Sequence, residues 1–123
     1  MLNPAETVQL FQSQSQSVQY PAGTVIFEAG QTGYEMYGIL AGEVALSFHG
    51  KILETLKQGD VFGEGALVQP DGSRYTTAIA KTDCTLACMN REHFLFAIQE
   101  TPLFALEIVR SLSDRLRQLK HQI

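Results

Sequence analysis

An antiparallel β sandwich or barrel flanked by helices is the fold class this sequence predicts, and three observations predict it. Between Val18 and Met89, short strand-like runs alternate with turn signals and no helical stretch intervenes. From Asn90 onward the apolar spacing switches to that of a helix. Ahead of Val18, a helix start at Asn3-Pro4 gives way to a polar Gln/Ser run. A parallel sheet would need crossover connections of about a dozen residues, and the strands leave no room for them.

The elements follow in order. Asn3 is a natural N-cap and Pro4 a natural first helical residue, because proline lacks only an N–H that is unpaired there anyway. Val8, Leu10 and Phe11 supply the apolar stripe of this first helix, and Gln12 to Gln16 reads as a flexible connection. Strands are expected at Val18–Tyr20, Thr24–Phe27, Glu35–Ala41, Glu43–Phe48, Lys51–Leu56, Tyr75–Ala80 and Thr85–Met89. Turns fall at Pro21-Ala-Gly23, Gly30-Gln-Thr-Gly33, Ala41-Gly42, His49-Gly50 and Gln58-Gly-Asp60. Asn90 then caps a helix over Arg91–Gln99, and Thr101-Pro102 restarts a second one. The expected organisation is one mainly β domain: a helix and linker over 1–17, the β unit over 18–89, and C-terminal helices over 90–123.

In the last helix Ala105, Val109, Leu112, Leu116 and Leu119 follow a 4-3-4-3 spacing, the seam of a two-helix coiled coil. That stripe either packs back on its own β unit or pairs with a second copy. Its continuation to Leu119 favours a homodimer through the C-terminal helix. The helix also carries Arg110, Arg115, Arg117 and Lys120 against Glu107 and Asp114, read as a solvated face.

Bulk properties narrow the function. At 123 residues the chain is long enough to bury roughly 65% of its unfolded surface. A net charge of −4 lacks the basic footprint of a duplex binder, so no direct nucleic-acid contact is expected. No apolar run approaches the roughly 20 residues of a membrane span, and nothing resembles a secretory signal, so a cytoplasmic location is expected. Cys84 and Cys88 share a strand face about 13 Å apart, too far for a disulfide, and are read as reduced core residues. His49, His93 and His121 fall at a turn, in a helix and near the end, with no register that gathers them into a metal site. No nucleophile stands with a base and an orienting group, so the chain is read as non-enzymatic.

The stretch from Asp60 to Ala80 carries the chemistry. It places Gly63, Gly65 and Gly72, the carboxylate of Glu64 and the guanidinium of Arg74 in one loop between strand-like runs. Glycines let several backbone N–H groups converge on an anion, and arginine matches phosphate oxygens bidentately. A carboxylate in an anion site makes sense when the ligand brings a hydroxyl beside its phosphate, because an ionised carboxylate only accepts. Phosphate beside a sugar hydroxyl describes a nucleotide. Without ligand, Glu64 and Arg74 can instead close the loop as an ion pair. Asp71-Gly72 is a turn dipeptide, and Tyr34, Tyr37 and Phe48 are read as sheet or rim aromatics.

Three segments carry a resemblance to a known family: Tyr20-Pro-Ala-Gly-Thr-Val-Ile-Phe27, Met36-Tyr-Gly-Ile-Leu-Ala-Gly-Glu-Val44, and Gly59-Asp-Val-Phe-Gly-Glu-Gly-Ala-Leu67 followed by Arg74. Together they resemble the cyclic nucleotide-binding domain family, which includes catabolite activator protein-type regulators and regulatory subunits of cyclic-nucleotide-dependent kinases. The resemblance implies a double-stranded β-helix (jelly roll) with helices at both ends, holding cAMP or cGMP as ligand with no further cofactor. It implies a site of Phe62, Gly63, Glu64, Gly65, Ala66, Leu67, Arg74, Tyr75 and Thr76. Gly63, Ala66 and Leu67 would present N–H groups or a close backbone approach, Glu64 would take the ribose 2′-hydroxyl, and Arg74 the cyclic phosphate. A short helical turn starting near Glu64 would aim its positive end at the phosphate.

Two positions depart from the family's pattern. Responsive members usually carry Ser or Thr directly after the arginine, where Tyr75 stands here. The base is often capped by polar residues late in the final helix, where Leu119-Lys120 stands. One lost hydroxyl contact is worth about 0.5–1.5 kcal/mol, less than the roughly 1.5–3 kcal/mol of a charge-assisted bond such as Arg74 would make. The expected function is therefore a regulatory sensor module that signals through its C-terminal helix. The alternative is a jelly-roll interaction or dimerisation domain that has lost its nucleotide. No helix-turn-helix, catalytic or channel segment follows Leu119, so the output is expected in a separate effector protein or in further sequence.

Overall fold

Helix α1 (Pro4–Leu10) begins where the sequence places it, because Asn3 and Glu6 exchange side-chain-to-backbone bonds of 2.9 Å in a reciprocal cap. The computed structural model describes residues 2–123. The chain continues through β1 (Val18–Tyr20), β2 (Val25–Phe27), β3 (Glu35–Ala41), β4 (Glu43–Phe48), β5 (Lys51–Lys57), β6 (Val61–Phe62), helix α2 (Gly65–Val68), β7 (Thr77–Ala80) and β8 (Cys84–Asn90). Two helices close it, α3 (Arg91–Glu100) and α4 (Leu103–His121).

Among the described residues the strands form two four-stranded antiparallel sheets, ordered β1-β8-β3-β6 and β2-β7-β4-β5. This is the mainly β roll with terminal helices that the sequence predicts. Strand alternation sends β3 and β8 to two cores at once. Tyr37, Ile39, Leu86 and Cys88 face the second sheet, while Met36, Ala87 and Met89 face the helices. Both cysteines are buried and unpaired, and burial, reinforced by Glu35, pushes the Cys88 thiol up to about 12.

Local differences from the expected elements have physical reasons. Strand β6 was not anticipated, since two apolar residues ahead of a glycine carry no alternation to read; Gly38 and Tyr37 recruit them. Tyr75 and Thr76 stay outside β7. The Arg74 backbone is instead tied to the loop before β3, donating to Gln31 at 2.7 Å and accepting from Gly30 at 2.8 Å. Thr24 closes a turn onto Pro21 and does not join β2. Leu10 lies exposed, because α1 buries Ala5 and Val8 on the opposite side. At α4 neither Thr101 nor Pro102 supplies a side-chain cap.

Helix α4 has two stripes offset by one residue. Phe104 and Ile108 are buried in the outer core, and Ser111, Arg115 and Leu119 continue the same face half-buried against the domain. Burying Phe104 and Ile108 contributes about 1.5–3 kcal/mol each. The middle of the coiled-coil stripe does not pack back on the β unit: Val109, Leu112 and Leu116 are exposed, and Leu103 and Leu106 extend the apolar surface, while its ends, Ala105 and Leu119, are half-buried. No helix among the described residues is long and apolar enough to cross a membrane.

Candidate functional site

A cavity of about 430 Å³ opens beside α2 and is lined by Gly63, Glu64, Gly65, Ala66, Arg74, Tyr75 and Thr76. The fold thus brings seven of the nine expected residues to one space. Phe62 and Leu67 lie elsewhere. Phe62 is fully buried between the sheets, its ring 5.2 Å from Tyr37, and Leu67 packs in the outer core with α4.

Arg74 is seated by the sheet it faces. Its guanidinium lies 4.1 Å above the Phe27 ring, donates from Nη1 to the Gly63 carbonyl and from Nη2 to the Glu35 carbonyl, both at 2.9 Å. Nε is buried without a partner. Burial lowers its pKa, while Tyr37, Glu35 and Glu64 pull in the opposite direction. Gly63 is required on two counts: its φ of +79° is in the left-handed region, and a Cβ would stand 2.9 Å from Nη1.

Glu64 caps α2 by position but makes no capping bond, and its Oε1 is buried with no hydrogen-bond partner. Burial raises its pKa, an effect that Arg115 and backbone N–H groups oppose. The N–H groups of Ala66 and Leu67 are used within the turn, bonding the Gly63 and Glu64 carbonyls at 3.3 and 2.9 Å.

Glu64 and Arg74 do not close the loop as an ion pair. Glu64 instead stands 3.8 Å from Nη1 of Arg115, on α4. Arg115 is far from the solvated face expected of it. It grips Glu54 of β5 with Nε–Oε1 at 2.7 Å and Nη2–Oε2 at 3.3 Å, and donates from Nη1 to the Val61 carbonyl at 3.1 Å. Burial works against its charge, but the Glu54 hydrogen bonds and the charges of Glu54, Glu64 and Asp60 outweigh it and raise its pKa.

Residues 17–101 match the family described as Cyclic nucleotide-binding domain. The chain belongs to that family. It is 34% identical over 118 residues to the Cyclic AMP receptor protein of Thermus thermophilus, covering 92% of this chain and 54% of that protein. It is 38% identical over 80 residues to the cAMP-dependent protein kinase regulatory subunit of Schizosaccharomyces pombe, covering 64% of this chain and 19% of that one. The solved Catabolite Activator Protein of Thermus thermophilus has the same fold, with a TM-score of 0.77 at 30% identity over 97% of this chain and 56% of that one. The chain thus spans about half the length of the Thermus proteins it matches.

Tyr75, the departure in this cyclic nucleotide-binding domain, leaves the cavity open. Its ring stacks on Phe48 at 4.8 Å and 11° and is 73% exposed. Neither Leu119 nor Lys120 lines the cavity; the residue of α4 that does is Arg115. Phe27, Leu46, Glu54, Gln69, Ser73 and Arg115 are lining residues that sequence reasoning missed. Two had a legible signal. Glu54 shares the inward face of β5 with Leu56, and Arg115 continues the stripe of Phe104, Ile108 and Ser111.

Proposed function

We propose that this cyclic nucleotide-binding domain holds a purine 3′,5′-cyclic nucleotide, cAMP or cGMP, and reports its occupancy through α4. The observation that carries the reading is one cavity holding a buried arginine and, beside it, a buried carboxylate oxygen with no donor. Of the five N–H groups of Arg74, two serve carbonyls and the buried Nε has no partner among the described residues. The free acceptor of Glu64 suits the ribose 2′-hydroxyl. Binding is the whole of the proposed chemistry, with no turnover.

Occupancy reaches α4 through Arg115. A ligand that engages Glu64 changes the charge environment of a side chain whose other partner is Glu54. The shift this produces is limited by the difference in ligand affinity between the two helix positions. The exposed stripe of Val109, Leu112 and Leu116 supports a homodimer along α4 as the receiver of that shift, with a separate effector downstream. Calorimetric titration with cAMP and cGMP tests the reading: heat of binding is expected in the parent and none in Arg74→Ala. Absence of heat with both nucleotides at millimolar concentration would overturn it.

A further inference from the structure

The cavity extends past the two residues assigned to phosphate and ribose. Its far end is built by Leu46 and Glu54, directly opposite each other across the β4–β5 ladder, and by Arg115 from α4. The charged groups have a definite order. Arg74 donates from Nη1 to the carbonyl of Gly63, the residue that precedes Glu64. Arg115 stands 3.8 Å from Glu64 and 2.7 Å from Glu54. The sequence through the cavity is therefore Arg74, Glu64, Arg115, Glu54. A nucleotide with its phosphate on the first and its ribose on the second directs its base to the last two.

We propose that Glu54, oriented by Arg115, reads the hydrogen-bonding edge of the base and makes the site favour guanine over adenine. This rests on the nucleotide reading above and adds the base to it. A carboxylate has about four acceptor positions, and Arg115 engages one on each oxygen, leaving acceptors on both. The side chains are only 15% and 16% exposed, so water competes weakly for those positions.

Guanine presents N1–H and the N2 amine side by side, with O6 next to them. Glu54 accepts from the two donors, and the adjacent Arg115 cation complements O6, the same atom that arginine recognises in guanine elsewhere. Adenine offers its N6 amine to Glu54 beside a bare N1, whose lone pair is turned toward the carboxylate. Guanine thus makes three charge-assisted bonds, hypoxanthine two and adenine one. A buried polar pair built for such an edge discriminates against a base that leaves it unmatched. Leu46 supplies an apolar contact for the purine and does not select between bases.

Three nucleotides in competition calorimetry test this directly: cGMP, cIMP, which keeps N1–H and O6 but lacks the N2 amine, and cAMP. The parent is expected to bind cGMP about tenfold or more tighter than cAMP, with cIMP between them. Glu54→Gln is expected to bring cGMP and cAMP within about threefold of each other, on the same reasoning that one charged acceptor carries the difference. A parent that binds cAMP as tightly as cGMP overturns the assignment without needing any variant to fold. A Glu54→Gln protein that weakens both nucleotides equally overturns it too, and would make Glu54 only a holder of Arg115. A parent that binds none of the three overturns the nucleotide reading itself, a result distinct from tight binding without preference.

Discussion

Arg74 lies against the bare backbone of Gly33: a Cβ added there would stand 2.3 Å from Nε and 2.4 Å from Nη2 of the arginine. The guanidinium occupies a slot with the Phe27 ring on one side and a residue without a side chain on the other. Gly33 is not in the left-handed region, so alanine is compatible with the backbone and its methyl acts only on Arg74.

Gly33→Ala should therefore unseat the guanidinium and break its bonds to the Gly63 and Glu35 carbonyls. A stability loss of about 1–3 kcal/mol is expected from losing charge-assisted bonds. Urea unfolding measures it, and calorimetry should show weaker nucleotide binding by the same protein. An unchanged midpoint would show that Arg74 does not need the slot.

Binding should weaken on acidification earlier than an ordinary carboxylate would dictate. Burial raises the Glu64 pKa above 4.5, and only the ionised form accepts from a hydroxyl without offering a proton. Affinity for the nucleotide is expected to fall as pH drops through that raised value, and Glu64→Gln should bind more weakly with a flatter profile. The sign for stability is opposite. A carboxyl raised in the folded state contributes most below its unfolded pKa, and that contribution is lost as pH rises through the folded value. Titrations and melts between pH 4 and 7 separate the two.

Removing the cation from the Glu54–Arg115–Glu64 group should cost more than a surface pair. Arg115→Ala leaves two shielded carboxylates facing each other and is expected to destabilise the domain by about 3 kcal/mol. Acidic pH should diminish the difference from the parent, because protonating either acid removes the repulsion. A constant difference between pH 4 and 7 would indicate lost packing alone.

Light scattering is expected to give about twice the 13.6 kDa chain mass. Leu112→Asp with Leu116→Asp should halve it while leaving the β unit folded, since both side chains point away from the domain's cores. A monomeric parent would remove the α4 dimer.

The sequence made the fold legible where its signals are local. Asn3 and Asn90 cap their helices, turn residues separate the strands, and the glycines around Glu64 mark one end of the cavity. The other end depends on residues 61 positions apart, and no local pattern joins Glu54 to Arg115. Helix α4 shows the same limit in another form. Its spacing marks the stripe Ala105-Val109-Leu112-Leu116-Leu119, but the face that meets the domain is the neighbouring one of Phe104, Ile108, Ser111 and Arg115, which periodicity alone does not single out. Tyr75 departs from the family's pattern in the sequence, and its outward stacking on Phe48 is not legible from residue type.

The two sheets differ in how freely they can be rewritten. In β3 and β8 adjacent residues such as Met36 and Tyr37 belong to opposite cores, so a change beneath the arginine is felt where the helices rest. The sheet carrying Leu46 and Glu54 bears exposed Val25, Ile52 and Lys57 on its flank, and its inward Val44, Leu56, Ala78 and Ala80 belong to the single core between the sheets. Because Glu54 grips Arg115, a change at Glu54 alters that end of the cavity and its link to α4 together, whereas the outer face of the same sheet can be rewritten without touching either.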